Sequence, residues 1–441
     1  MLKRYSTSEM TEIWREERKF DLWQQIELAT LDARAKFGQL SRPQAAERIR
    51  EQAKFSLKRI EEIEAETQHD LLAFVQVVQE NLEPEIRGEF HAGLTSYDTE
   101  EIPTNLRIRD SLIILSDTLE MLISVILKQA DNHRKTLMIG KTHGQHAEPI
   151  TFGLRLLGWV DIFQRDQHRL SQAQETISVG KISGAVGTYS ELGPEIEAEV
   201  CRAFNLKPAR HTTQIIHRDR IAQVLTTLAI LAGDIEHVAV NFRKMADTDI
   251  MEVREPFGAK QKGSSAMPHK KNTIVTERLC GLARNIRANC LVALENIATW
   301  EERDISQSAP ERIILPDSFH LIHYMLKQLT RVLDKMEVFP ANMLRNLDKT
   351  HGCIFSSHVK NLLIGWGMDP EDAYRLVQER SFEADKTGRS LLTILLNERL
   401  LQAYLEEDEP GNGGKINQLR GCFDPWQGLK NIDVIYARFG L

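Results

Sequence analysis

Five long stretches without an internal proline constrain this chain more than any other feature. They cover about 105–135, 153–179, 218–247, 276–300 and 317–335, and Leu, Ile and Ala recur in each at helical spacing. A proline inside such a stretch would remove a backbone donor and clash with the preceding turn, so its absence lets each continue well past three turns. Apolar residues lie on more than one face of these stretches, and such helices need covering on several sides. A bundle larger than one chain can build is therefore expected, and oligomerisation with it.

On either side the elements are shorter. Residues 1–93 read as short helices: a turn or two with Met10, Ile13 and Trp14, then a longer helix over about 20–37. In the latter Leu22, Ile26, Ala29 and Ala33 share one face, and a further helix begins near Pro43, a residue suited to a first helical position. After Phe339-Pro340 short helices return, with a glycine-rich loop at 410–414 and an amphipathic end over 433–439. The expected fold is all-α in three helical domains: 1–93, a long-helix central bundle domain over 94–345, and 346–441.

The formal charge of -7 comes from interspersed signs, so neither a nucleic-acid tract nor a membrane surface is indicated, and cations for a phosphate must be gathered locally. No run approaches eighteen apolar residues, and Met1 to Ser6 lack the apolar core of a signal peptide; a cytoplasmic protein is expected. Cys201, Cys280, Cys290, Cys353 and Cys422 are odd in number and lack CxxC spacing, which suits reduced, buried thiols and no zinc site.

Four polar islands interrupt the helices. Lys262-Gly263-Ser264-Ser265-Ala266-Met267-Pro268-His269-Lys270-Lys271-Asn272 is cation-rich, hydroxyl-bearing and flexible, as a loop closing over a small polyanion should be. The others are 91–98 (HAGLTSYD), 140–149 (GKTHGQHAEP) and 183–189 (SGAVGTY). Glycine- and hydroxyl-rich turns at helix ends expose backbone N–H groups, which favour carboxylates and phosphates. Any one island could be an ordinary connection, but four together suggest a composite site for a multiply anionic ligand.

The loop 262–272 resembles the GSSxMPxKxN signature of the fumarase/aspartase superfamily, whose members release fumarate from succinyl-bearing substrates. Within it, Arg4-Tyr5-Ser6, Thr142 to Pro149, Ser183 to Tyr189, Gln214, Arg218-Asp219-Arg220 and Trp300 to Ser306 resemble the adenylosuccinate lyase family. The likeness runs from about residue 4 to the C-terminus. It implies cleavage of adenylosuccinate to AMP and fumarate, and of the succinylated imidazole carboxamide ribotide, by anti β-elimination in purine biosynthesis. It further implies a homotetramer with active sites shared between subunits, and no metal or organic cofactor.

Such an elimination needs a base, an acid for the leaving nitrogen, and cations for the carboxylate that gathers charge. By resemblance Ser264 is the base, His143 the general acid and Glu277 the partner of its imidazole, with Lys270 stabilising charge. Lys270 and Asn272 hold the succinyl carboxylates, while His69, Asp70, His91, Thr95, Ser96 and Thr142 contact the substrate. Arg4, Tyr5, Ser308 and Arg312 bind the nucleotide phosphate, with Gln214 and Arg303 nearby; guanidinium pairs and hydroxyls suit a phosphomonoester. Ser308 and Arg312 share a face if that segment is helical.

Four positions depart from the family pattern: Thr273 stands for a proline, Gln307 for a histidine common in bacterial relatives, and Lys141 for an arginine. The segment Glu101-Ile102-Pro103 replaces polar residues, with the apparent loss of a donor near the substrate. That last departure keeps two rival readings open, a lyase for another N-succinyl compound and a silent homologue with a structural or binding role.

Overall fold

A computed structural model of the chain describes residues 2–406 and 414–441; of the expected glycine-rich loop, 410–413 lie outside the described residues. The chain is all-α: the described residues form eighteen α-helices, and the strands make only three two-stranded sheets. The five long helices are Ser96–Asn132, Phe152–Ile177, Asp219–Met245, Ile274–Glu295 and Ser308–Lys335. Two of them begin nine residues before the expected point, because Pro103 and Pro316 lie inside the helices rather than at their edges. Among the described residues Asp219–Met245 alone is long and apolar enough to cross a membrane, yet 56% of its most apolar window is buried within the chain, as in a core helix.

The chain divides into two compact units. One comprises Met1–Leu122, Phe163–His237 and Arg278–Leu329; the other comprises Ile123–Ile162, Val238–Glu277 and Thr330–Leu441. In the first unit the helix Glu16–Lys36 is buried on two faces. Phe20, Trp23 and Leu31 enter a cluster with Ile49, Ile60 and Phe74. Leu22, Ile26 and Ala33 enter another with Ile102, Leu106, Ile196 and Val200. Each fully buried Leu, Ile or Phe contributes about 1.5–3 kcal/mol, so this helix anchors two cores at once.

In the second unit strands Leu137–Thr142 and Gln145–Thr151 pair antiparallel, a hairpin the helical pattern did not predict. Ile139 packs with Leu347, Ile354 and Phe355. A separate cluster spans Val359 to Cys422. Gly153 is required in this unit, since a Cβ there would come within 2.1 Å of the buried Tyr436 hydroxyl and 2.2 Å of the Ala130 carbonyl oxygen. The five cysteines form no disulfide; four are buried and Cys353 is half-buried.

Candidate active site

The hairpin in the second unit carries His143 at its tip. The loop between the strands is only His143-Gly144, and both residues have positive φ, 53° and 78°. Two-residue turns with φ positive at both positions match the twist of the strands they join, and glycine fills the second position without strain. His143 bears the cost of the left-handed region itself, a kind of strain that persists where surroundings enforce it. Its ring is exposed, as is Thr142, the last residue of the first strand. Beside them a cavity of ≈ 660 Å³ is lined by Lys141, Thr142, His146, Thr350, Ser356 and Ser357. Burial, then the charges of Lys141 and Lys349, push His146 below the usual histidine range, so its ring is neutral.

The loop 262–272 belongs to the same unit. Ser264 Oγ accepts hydrogen bonds from the backbone N–H groups of Ala266 at 3.3 Å and Met267 at 3.1 Å. Donors aimed at a hydroxyl oxygen stabilise the alkoxide more than the alcohol, which is the assistance a serine base needs. Asn272 Nδ2 donates to the Gly263 carbonyl at 3.0 Å and ties the neck of the loop. That neck admits no side chain at 263, because a Cβ would lie 2.0 Å from the Lys270 carbonyl oxygen.

Thr273, which stands where the family has proline, caps the next helix. It stands immediately before the helix Ile274–Glu295, where its carbonyl accepts from Glu277 N–H and its hydroxyl donates to the Glu277 carboxylate at 3.3 Å. Buried Glu255 completes this N-terminus by accepting from the N–H groups of Val275 and Thr276. Within the single chain Glu277 therefore bonds Thr273, and the imidazole of His143 is not among its partners.

The first unit gathers most of the expected binding residues. His69, Asp70, Ser96, Arg303, Ser308 and Arg312 line one cavity of ≈ 270 Å³. His69 caps the helix Asp70–Glu80, its Nδ1 accepting from Leu72 N–H at 3.3 Å, which leaves Nε2 as the protonated nitrogen. Ser308 opens the helix Ser308–Lys335, and Arg312 follows one turn later, so the shared face is real. Arg312 meets Asp70 at 3.0 Å, and Lys19 lies 3.8 Å from the same carboxylate. Burial works against the Asp70 charge, but Arg312 and Lys19 hold it below the usual carboxylate range. Arg303 stacks on the Tyr97 ring at 3.6 Å and donates to Gln214 at 2.9 Å, joining two expected neighbours.

Arg4 and Tyr5 are not brought to this cavity. Tyr5 packs edge-on against Tyr324, centroids 5.3 Å apart, and Arg4 is exposed. Tyr324 lies sixteen residues from Ser308 on one helix, or about 24 Å at 1.5 Å per residue. His91 does not line the cavity either; its Nδ1 bonds the buried Glu27 at 2.7 Å. Thr95 sits just before the helix Ser96–Asn132, its N–H bonded to Asp98 at 3.0 Å.

Sequence reasoning missed the groups that hold these residues in place. Asp98 and Lys181 form a fully buried ion pair at 2.5 Å, and Asp98 also accepts from the N–H groups of Thr95, Ser183 at 3.1 Å and Gly184 at 3.3 Å. Two islands, 91–98 and 183–189, are thereby fastened to one carboxylate. A lone lysine in the apolar run Val179-Gly180-Lys181-Ile182 was the only sequence signal for it. Arg218 is enclosed by Glu101 at 2.7 Å and Glu311 at 3.0 Å.

The segment 101–103 needs correction. Ile102 is fully buried among Leu22, Ile26, Leu106 and Ile196, so no donor toward a substrate is lost there. Glu101 is spent on Arg218, and Gln307 is fully buried with its amide 3.4 Å from the Tyr97 hydroxyl. Ile102 and Gln307 thus adjust packing, while Glu101 and Pro103 line a second cavity that also holds Ser308 and Arg312.

Two solved structures share the fold across nearly all of the chain. A fumarate lyase from Mesorhizobium sp. BNC1 has a TM-score of 0.88 at 25% identity, covering 99% of each chain. A 3-carboxy-cis,cis-muconate lactonizing enzyme from Pseudomonas putida has a TM-score of 0.87 at 25% identity, over 98% of this chain and 96% of that one. Long helices bearing a serine loop, a histidine hairpin and an arginine-lined cavity thus define a protein of the fumarate lyase class. A lyase family model matches residues 3–288, and a model for the adenylosuccinate lyase C-terminus matches 352–439. Adenylosuccinate lyases of Synechocystis sp. and Bacillus subtilis are 43% and 41% identical, each over the whole of both chains. The chain belongs to the adenylosuccinate lyase family.

Proposed function

We propose that this chain is a C–N lyase that cleaves adenylosuccinate to AMP and fumarate in purine biosynthesis, and acts likewise on the succinylated imidazole carboxamide ribotide. The observation that carries the reading is the cavity where Arg303, Ser308 and Arg312 converge with His69 and Ser96. Two guanidinium groups and hydroxyls in one recess fit a phosphomonoester, which would take the place of Asp70 as partner of Arg312 and which a lyase for fumarate or aspartate alone has no use for.

In the proposed reaction Ser264, as the alkoxide, removes the proton from the carbon beside one succinyl carboxylate. The C–H electron pair moves into that carboxylate, where Lys270 and Asn272 offset the added charge. The pair then forms the double bond of fumarate as the C–N bond breaks, and His143 protonates the departing nitrogen to give AMP. The N–H bonds from Ala266 and Met267 to Ser264 Oγ support the role of base. Thr142, with Thr95 and Ser96, supplies hydroxyl donors to the substrate.

The working form is proposed to be a cytoplasmic homotetramer whose active sites draw on several subunits. Arg4 and Tyr5 lying far from Ser308 in one chain, and Glu277 bonded to Thr273 rather than His143, both support sharing. The division into 1–93, 94–345 and 346–441 is proposed with core clusters over 20–90 and 359–422 in its favour. Two further clusters, one joining 22–33 to 102–206 and one joining Ile139 to 347–355, cross its boundaries. Loss of adenylosuccinate ultraviolet absorbance together with fumarate release tests the activity, which Ser264→Ala should abolish. Mixing inactive Ser264→Ala and His143→Ala chains should restore part of the rate; no restoration in mixed tetramers would sink the shared site.

A further inference from the structure

We propose that Glu27 is a positioning residue for His91, holding the imidazole through Nδ1 as a cation so that Nε2–H is offered as a charged donor to an anionic group of the substrate. This rests on the reading above, in which His91 contacts the substrate. Three observations support it.

The first is the placement of Glu27. It sits in the middle of the helix Glu16–Lys36, flanked along the chain by the buried Trp23, Ile26, Leu28 and Leu31, and only 1% of it is exposed. A carboxylate in such a place needs a cation or a full set of donors. Its Oε1 receives the Thr99 hydroxyl at 2.7 Å and bonds His91 Nδ1 at 2.7 Å. Its Oε2 is buried and has no hydrogen-bond partner among the described residues. One neutral hydroxyl is too little for a buried anion, so the remaining compensation must come from the imidazole.

The second is the geometry of His91. Its backbone is left-handed, φ 66°, a conformation that only the surrounding structure maintains. With Nδ1 used by Glu27, Nε2 has no bond among the described residues and is not one of the buried unpartnered nitrogens, so it is open to a ligand. A ring fixed through one nitrogen and free at the other is how proteins set a histidine's tautomer and aim.

The third is electrostatic. The charged groups facing His91 are Glu27 from the 16–36 helix and Asp98 from the 96–132 helix, and Asp98 is matched by Lys181. Burial disfavours the imidazolium, but the Glu27 hydrogen bond and charge, then Asp98, outweigh it and raise the ring above the usual histidine range. Thr99 donates to the same Oε1 that meets His91, which helps to hold that oxygen against the ring.

The test uses the full-length enzyme with Glu27→Gln, His91→Asn and the double variant. Steady-state kinetics on adenylosuccinate are run from pH 6 to 9, and the His91 ring is titrated by nitrogen-15 NMR. In Glu27→Gln the ring should titrate at lower pH than in the wild type. KM should rise about tenfold between the two titration midpoints, where a neutral ring replaces a charged one, and return to within about twofold below both, with kcat changed less. The double variant should be no worse than His91→Asn alone. An unmoved His91 titration, or a loss of the same size at every pH, would overturn the proposal and leave Glu27 a packing residue. A wild-type enzyme inert toward adenylosuccinate would count against the functional reading instead, and the titration would still decide whether Glu27 holds the ring charged.

Discussion

Lys181→Met should destabilise the unit that contains the 91–98 and 183–189 islands, and the size of the effect follows from the contacts of Asp98. Both side chains of the pair are 0% exposed and lie 2.5 Å apart. Removing one member of a buried, hydrogen-bonded ion pair costs about 3–5 kcal/mol, because the other charge stays behind in a medium that cannot solvate it. Three backbone N–H groups continue to serve Asp98, from Thr95, Ser183 and Gly184, which places the expected loss near the lower bound, about 3 kcal/mol. The unit has roughly 250 residues, and at about 2.1 cal/mol/K per residue its unfolding entropy is about 0.5 kcal/mol/K. The melting temperature should therefore fall by about 6 °C at fixed protein concentration, followed by calorimetry. Adding Asp98→Asn removes the stranded charge while keeping an acceptor for the N–H groups, so the double variant should recover about half of the loss. A single variant melting within about 1 °C of wild type, or a double variant less stable than the single, would refute the reasoning.

Other outcomes follow from the same geometry. Gly263→Ala should cut kcat about a hundredfold with the melting temperature unchanged, since its Cβ would strike the Lys270 carbonyl oxygen in an exposed loop; full activity would mean the neck opens freely. Arg312→Lys should raise KM for adenylosuccinate about tenfold and leave kcat within about twofold, because an ammonium cannot replace a planar fork; a kcat defect alone would place Arg312 in the chemistry. Glu100 gives a pH signature: burial and the neighbouring Asp70 push its carboxyl up to about 7, against Arg312 and Arg303. Its folded value is raised, so the stability of the wild type declines as pH rises from the unfolded value, about 4.3, to about 7, and is level above that. Glu100→Gln should remove this decline and gain about 1–2 kcal/mol at pH 8, an amount already reduced for its half-buried position; parallel stability–pH curves for variant and wild type would rule it out.

Helix length was legible because apolar spacing and missing prolines are local properties of the chain. The starts of the 96–132 and 308–335 helices were not, since Pro103 and Pro316 look like boundaries although tertiary packing keeps the helix going past them. The hairpin escaped because its strands are short and its turn is His143-Gly144 rather than the Asn-Gly that would announce it. Within the site, His69, Ser96, Arg303, Ser308 and Arg312 were readable through resemblance, and one cavity holds all five. Their supports were not readable: Glu27 reaches His91 across 64 positions and Lys181 reaches Asp98 across 83, and neither partner carries a local mark of the other. The burial of Ile102 was equally invisible, as a single apolar residue amid polar ones looks like a loss until its neighbours are known.

Those neighbours give position 102 a different meaning for divergence in this family. A Cβ placed on Gly180 would approach Ile102 Cγ1 to 2.9 Å and Cys201 Sγ to 2.8 Å, so the three residues fill one fixed volume between them. A relative that enlarges any one of them must trim another, and a change at 102 alone tests steric accommodation rather than catalytic taste. Homologues sorted by residue 102 would be grouped by how they fill their interiors, while their choice of substrate could be the same throughout.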